Sequence, residues 1–265
     1  MNIYMNRADG SKSFQKSVAE EVKGIGATRA ALGRMLRSID FVGWSHSEES
    51  GRLDRKALTK VKLGATSIFS RRAAKVAERS AVTIMVDCSG SMMGTMGMAQ
   101  NVTVQLGKLL EQSRVNFCVT GFTGSEPTDN YDKKMRCYVE DVDFIPFKNR
   151  NESMVKAAVK LGYICNSARS GNPDYSALMF CIEEIKAQPE QRKIVFFLTD
   201  TGSYSPEAMA QVQKSAGQFG VEIIAIGLGT HGINTLFKHG VDVNNLADLG
   251  SKTFKQLLTT LKAGD

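Results

Sequence analysis

The sequence predicts an α/β protein: a doubly wound, mostly parallel central sheet with one antiparallel edge strand, preceded by a helical, basic N-terminal extension. Three observations predict it. Four short apolar runs, residues 81–86, 116–122, 194–198 and 221–226, are rich in Val, Ile and Phe with little polar alternation, as strands buried on both faces are. Segments with apolar residues three and four apart lie between them, so strand and helix alternate with short connections. The excess positive charge is confined to one end: residues 1–80 hold 16 Lys and Arg against 8 Asp and Glu, whereas residues 81–265 hold 18 against 19. The division is therefore a basic extension over 1–80, packing on a main domain over 81–265.

In chain order, Phe14, Val18, Val22, Ile25, Leu32, Met35, Leu36 and Ile39 describe one amphipathic helix over about 13–39. Gly24, Gly26 and Gly33 weaken it, each by about 1 kcal/mol relative to Ala. The only tryptophan, Trp44, precedes a polar stretch, and residues 56–63 read as a short helix or turn before a basic segment over 69–79. No strand-like run occurs before Ser80. In the main domain the helical faces are Val102, Leu106, Leu109 and Leu110; Val155, Ala158 and Val159; Leu178, Cys181, Ile182 and Ile185; Met209, Val212 and Ala216; and a last helix with Phe254, Leu257, Leu258 and Leu261. Residues 134–142 alternate Met135, Cys137 and Val139 with Arg136, Tyr138 and Glu140, which suits an antiparallel edge strand paired with 116–122.

With 265 residues, 42% of them hydrophobic, the chain is long enough to bury a core without disulfides. Its five cysteines are widely spaced and include no C-x-x-C pair, against both a disulfide framework and a zinc site. Residues 1–10 have no apolar leader, and no stretch approaches the roughly 18 apolar residues that span a bilayer. The expected location is the cytoplasm, with no membrane contact. No P-loop occurs, so ATP binding is not expected of this chain alone.

Ligands of open α/β sheets bind beyond the carboxyl ends of the strands, so the loops there are the ones to read. The first strand ends in Asp87-Cys88-Ser89-Gly90-Ser91-Met92, with an aspartate and two hydroxyls at i, i+2 and i+4 on a tight turn. The 194–198 strand ends in Thr199-Asp200, and a third loop offers Asp174 just ahead of a helix. Three converging carboxylates would repel one another unless a cation sat among them. Oxygen ligands without His or Cys select a hard cation, Mg²⁺ first, then Mn²⁺ or Ca²⁺. Other readings stand beside this one. Asp87, Ser89 and Ser91 could simply cap the next helix, and Asp174 could be a helix N-cap. Ser89 or Ser91 with Asp200 and His231 has the chain order of an α/β-hydrolase triad, but the G-x-S-x-G elbow is missing. Met92, Met93, Met96 and Met98 crowd beside the loop, as packing or as an adaptable surface.

The run Asp87-x-Ser89-x-Ser91-Met92 resembles the metal-ion-dependent adhesion site (MIDAS) of von Willebrand factor A (VWA) domains. Gly121-Phe122-Thr123, Leu198-Thr199-Asp200 and Ala225-Ile226-Gly227-Leu228-Gly229 end strands in the matching order. The stretch 43–261 resembles more closely the VWA region of the cobaltochelatase CobT type, through Gly51-Arg52-Leu53-Asp54, Asn172-Pro173-Asp174-Tyr175-Ser176 and Pro189-Glu190-Gln191-Arg192-Lys193. The resemblance implies a Rossmann-like VWA fold and direct metal ligation by Ser89 and Ser91. It implies that Asp87 and Asp200 hold the metal directly or through water, and that Asp174 stands where many VWA domains use a threonine. It also implies a MoxR- or CobS-type AAA+ ATPase as partner.

The function expected is therefore binding, not catalysis: a Mg²⁺-dependent adaptor that recognises an acidic side chain of a partner protein. Two further expectations compete with it. One is a nucleic-acid-binding protein whose arm, around Lys56, Lys60, Lys62, Arg71, Arg72 and Lys75, contacts phosphates. The other is a cobaltochelatase-type subunit in cofactor biosynthesis.

Overall fold

The computed structural model describes residues 7–20, 44–48, 50, 52–53, 69–72, 80–124, 131–134, 136–139, 141–200 and 205–244. They belong to two compact units, Met1–Arg37 with Arg79–Asp265, and Ser38–Glu78. In the larger unit, six strands form one sheet in the order β11-β10-β9-β4-β5-β8: β4 (Ser80–Asp87), β5 (Asn116–Gly124), β8 (Val142–Lys148), β9 (Arg192–Thr199), β10 (Val221–Leu228) and β11 (Gly240–Val243). All neighbours are parallel except β5 and β8. This is the doubly wound sheet with one antiparallel edge that the sequence predicts.

The apolar runs become strands because both sheet faces are covered. All eight residues of β4 are buried. Successive side chains alternate between faces, so Val82, Ile84 and Val86 join Val102, Leu106 and Leu109 of α2 (Met96–Gln112) in one cluster. Ala81 and Met85 join the other cluster, with Leu178 and Ile182 of α4 (Asp174–Lys186) and Met209 and Val212 of α5 (Pro206–Gln218). Helix α5 starts where the sequence signals it: Pro206 follows Ser205, whose hydroxyl accepts the Ala208 N–H at 3.1 Å. Short helices α3 (Ala158–Leu161) and α6 (Ile233–Leu236) also belong to this unit, as does α1 (Arg7–Ala19), which packs on α2 and α3.

Two readings change. The antiparallel edge strand is Val142–Lys148 rather than 134–142; Cys137–Tyr138 (β7) instead pairs with Tyr131–Asp132 (β6). Pro146 disguises the true strand, yet proline is tolerated on a sheet edge, and the register shifts between Val119 and Thr120, where the latter faces Pro146. Strands also occur before Ser80. The smaller unit holds an antiparallel sheet in the order β1-β3-β2, from β1 (Trp44–Glu48), β2 (Arg52–Leu53) and β3 (Phe69–Arg72). Their residues are mainly polar, and a backbone ladder needs no apolar run to form. The helix expected to reach Ile39 is seen as α1; its continuation, the 56–63 segment and the helix around 254–261 lie outside the described residues, as do Lys56, Lys60, Lys62 and Lys75. No helix among the described residues is long and apolar enough to cross a membrane.

Candidate metal centre

Strand β4 ends on Asp87, which is wholly buried at the carboxyl edge of the sheet. The parallel register of β4 with β9 pairs Val86 with Leu198, which brings Thr199 beside Asp87. Asp87 Oδ2 accepts the Thr199 hydroxyl at 2.8 Å, and Oδ1 accepts the Ser89 N–H at 2.8 Å. A tight 3₁₀ turn over Gly90–Gly94 follows. It brings Ser89 Oγ within 3.1 Å of Ser91 Oγ, and Ser91 Oγ donates to Asp200 Oδ1 at 3.0 Å. The series runs from a buried carboxyl through a buried hydroxyl to an exposed hydroxyl and a half-buried carboxyl. Burial pushes the Asp87 carboxyl up to about 6; hydrogen bonds from Ser89 and Thr199 oppose this, and the charge of Asp200 adds to it.

The third loop is stitched to the first by backbone bonds. The Arg169 N–H donates to the Cys88 carbonyl at 2.7 Å, and the Gly90 N–H to the Ser170 carbonyl at 2.9 Å. The Gly124 N–H donates to the Gly171 carbonyl at 2.9 Å, which ties the same loop to the end of β5. A side chain at Gly90 would put its Cβ 2.7 Å from the Arg169 carbonyl oxygen, so glycine is required for this approach. Asp174 follows at the head of α4, nearly buried, its Oδ1 accepting the Tyr175 N–H at 2.7 Å.

Of the five residues singled out in the sequence, the structure joins Asp87, Ser89, Ser91 and Asp200 through hydrogen bonds, and sets Asp174 in the loop bound to theirs. Among the described residues no three His, Cys, Asp or Glu side chains gather to hold a metal. The three carboxylates therefore do not gather as one acidic group among the described residues; Ser89 and Ser91 link Asp87 to Asp200, whose charge still raises the Asp87 carboxyl. Thr199, not singled out from sequence, is Asp87's second donor; the strand register was the signal that could have found it. The hydrolase geometry is not formed, since Ser91 bonds Asp200 directly and His231 lies exposed. The methionines divide: Met92 and Met96 are core, whereas Met93 is 77% exposed. Cys88, between the ligand candidates, is buried, and its thiol is pushed up to about 12, chiefly by that burial.

A family model described as the cobalamin biosynthesis protein CobT VWA domain matches residues 68–262. The chain belongs to this CobT-type VWA family. Among solved structures, this VWA domain is similar to the pilus adhesin SpaC from Lactobacillus rhamnosus GG in its open conformation, at TM-score 0.50 and 12% identity over 71% of this chain and 30% of that one. It is also similar to a von Willebrand factor type A protein from Catenulispora acidiphila (TM-score 0.44, 16% identity, 70% and 43% of the chains). A third is proximal thread matrix protein 1 of the mussel byssus, solved with a zinc-occupied MIDAS motif (0.46, 18%, 69% and 48%). The CobT-type domain spans less than half the length of each of these three chains. At 12% identity the likeness to the adhesin is one of fold.

Proposed function

We propose that this CobT-type VWA domain is a binding subunit that uses a divalent cation, Mg²⁺ by preference, to take an acidic side chain from a partner protein. The observation that carries the reading is the run of oxygens from Asp87 through Ser89 and Ser91 to Asp200. In an octahedral Mg²⁺ shell with bonds of 2.0–2.1 Å, adjacent oxygens lie about 2.9 Å apart. The Ser89–Ser91 and Ser91–Asp200 oxygen pairs, at 3.1 and 3.0 Å, have nearly that spacing. The donor set is all oxygen, as a hard cation requires.

Ser89 and Ser91 would hold the cation through their hydroxyls, Asp200 from the solvent side, and Asp87 and Asp174 through water. Asp87, fixed by two hydrogen bonds, orients Ser89 from below. A bound cation supplies a directional positive charge for an incoming carboxylate. Because Ser89 and Ser91 are neutral, they leave more of that charge available than an all-carboxylate shell would.

Family membership supports a MoxR- or CobS-type AAA+ ATPase as the partner, with this chain acting as adaptor in a remodelling or metal-insertion complex. The match to a cobalamin biosynthesis protein also favours a second reading, a chelatase-type subunit in cofactor biosynthesis. The test is capture of partners on the full chain. The ATPase should be retained in Mg²⁺, lost in EDTA, and lost with a folded Asp87→Ala variant. Capture unaffected by both changes would overturn the reading; co-capture of a tetrapyrrole-binding subunit would favour the second.

A further inference from the structure

Helix α1 is attached by a set of contacts unlike those of the core. Within it only Gly10 and Ser17 are buried, and Phe14 and Val18 are only partly so. Its attachment is mainly polar and centres on Gln100, nearly buried in the first turns of α2. Gln100 Nε2 donates to Ser13 Oγ at 2.9 Å and to Ser17 Oγ at 2.8 Å. Its Oε1 accepts the Cys165 N–H at 3.2 Å. One side chain thus ties α1, α2 and the 3₁₀ turn Ile164–Asn166 together. Further along α2, Gln105 Nε2 donates to the Ser17 and Glu20 carbonyls at 2.9 and 3.1 Å, and Lys108 Nζ to the Val18 carbonyl at 3.1 Å. These satisfy carbonyls that the end of α1 leaves open, and the lysine also suits the negative end of the helix dipole. On the other side the backbones of Gly10 and Gly162 touch: a Cβ on Gly162 would fall 1.8 Å from the Gly10 carbonyl oxygen.

Both elements tied by Gln100 lead straight to the candidate site. Helix α2 begins immediately after Thr95, the residue that follows the turn carrying Ser91. The Ile164–Asn166 turn runs into Arg169 and Ser170, whose backbone groups bond Cys88 and Gly90. Helix α1 is therefore tied to both elements that lead into the Ser89–Ser91 loop. An element with little apolar burial opens more readily than the core around it.

We infer that α1 is a detachable strap: docked, it holds the Ser89–Ser91 loop in its cation-binding arrangement, and released, it lets α2 and the 164–170 loop shift and weakens the site. The inference rests on the cation reading given above. By linkage, a cation bound at the site must disfavour opening of α1 by the same factor.

The test combines hydrogen exchange of the full chain, with and without Mg²⁺, and calorimetric Mg²⁺ titration of wild type, Gln100→Ala and Gly162→Ala. The two variants loosen α1 from different sides, and exchange of the α1 amides reports in each whether it has opened. The expected results are slower α1 exchange on adding Mg²⁺ to wild type and Mg²⁺ affinity at least about fivefold weaker in the opened variants. Open α1 with wild-type Mg²⁺ affinity, or α1 exchange indifferent to saturating Mg²⁺, would overturn the strap while leaving the metal site standing. A wild-type protein that binds no Mg²⁺ would overturn the cation reading itself, and the strap with it.

Discussion

Ser91 and Asp200, 109 positions apart in the chain, meet at 3.0 Å through a hydroxyl donated to a carboxylate. The parallel pairing of β4 with β9 makes this possible, because it brings the ends of two distant strands to one edge of the sheet. The bond is exposed and contributes little to folding, of the order of 1 kcal/mol or less. Ser91→Ala should therefore unfold at nearly the same urea concentration as wild type and yet lose most of its affinity for Mg²⁺, measured by calorimetry.

The buried Asp87 carboxyl gives a pH signature to the metal-free protein. Its folded pKa, about 6, lies above the ordinary 3.8, so the native state binds more protons than the unfolded state between those values. Stability from this group is thus fully present below about pH 4 and is lost as pH rises through 6, by up to about 3 kcal/mol. Asp87→Asn removes the titration. In EDTA, the stability of Asp87→Asn relative to wild type, from urea unfolding, should increase between pH 4 and pH 7. A constant difference would mean that Asp87 is not held protonated by burial.

Two glycines of the same region should respond in opposite directions. Gly90→Ala drives a Cβ against the Arg169 carbonyl oxygen, a backbone atom held by the neighbouring bond to Cys88. We expect a loss of about 1–3 kcal/mol together with weaker cation binding. Gly97, inside α2, has open space where its Cβ would go, so Gly97→Ala should stabilise by up to about 1 kcal/mol. Thermal melts of the two variants separate these outcomes.

At the other end of the sheet, Lys148 is buried with its ammonium 3.7 Å from the centre of the Phe117 ring. It donates to the Phe117 and Asn149 carbonyls at 2.8 and 3.2 Å. Burial holds its pKa below the usual lysine value. Lys148→Met keeps the stem but removes the donor, and should cost about 1–3 kcal/mol in chemical denaturation while leaving Mg²⁺ titration unchanged.

The parts legible in the sequence are those where burial alone dictates residue type. Strands β4, β9 and β10 are largely buried on both faces and so read as apolar runs, and β5 is buried on one face throughout; Asp87, Ser89, Ser91 and Asp200 stand where such strands end. What was not legible depends on pairing. Nothing local to Pro146 announces an edge strand, and the short ladder from Trp44 to Arg72 is made mainly of polar residues. Gln100 and Gln105 look like an ordinary polar helix face, although they hold α1, and Gly10 and Gly162 gain their meaning only from each other. Thr199 was visible as a residue, but its bond to Asp87 follows from strand register.

That the Ser89–Ser91 loop and Asp200 hold a divalent cation is decided by electron paramagnetic resonance of Mn²⁺ added to the metal-stripped full chain. Wild type should remove one equivalent of the free Mn²⁺ signal, excess Mg²⁺ should restore it, and a folded Ser89→Ala/Ser91→Ala variant should remove none. A variant that binds Mn²⁺ as wild type does, or a wild type that leaves the free signal intact, would contradict that assignment.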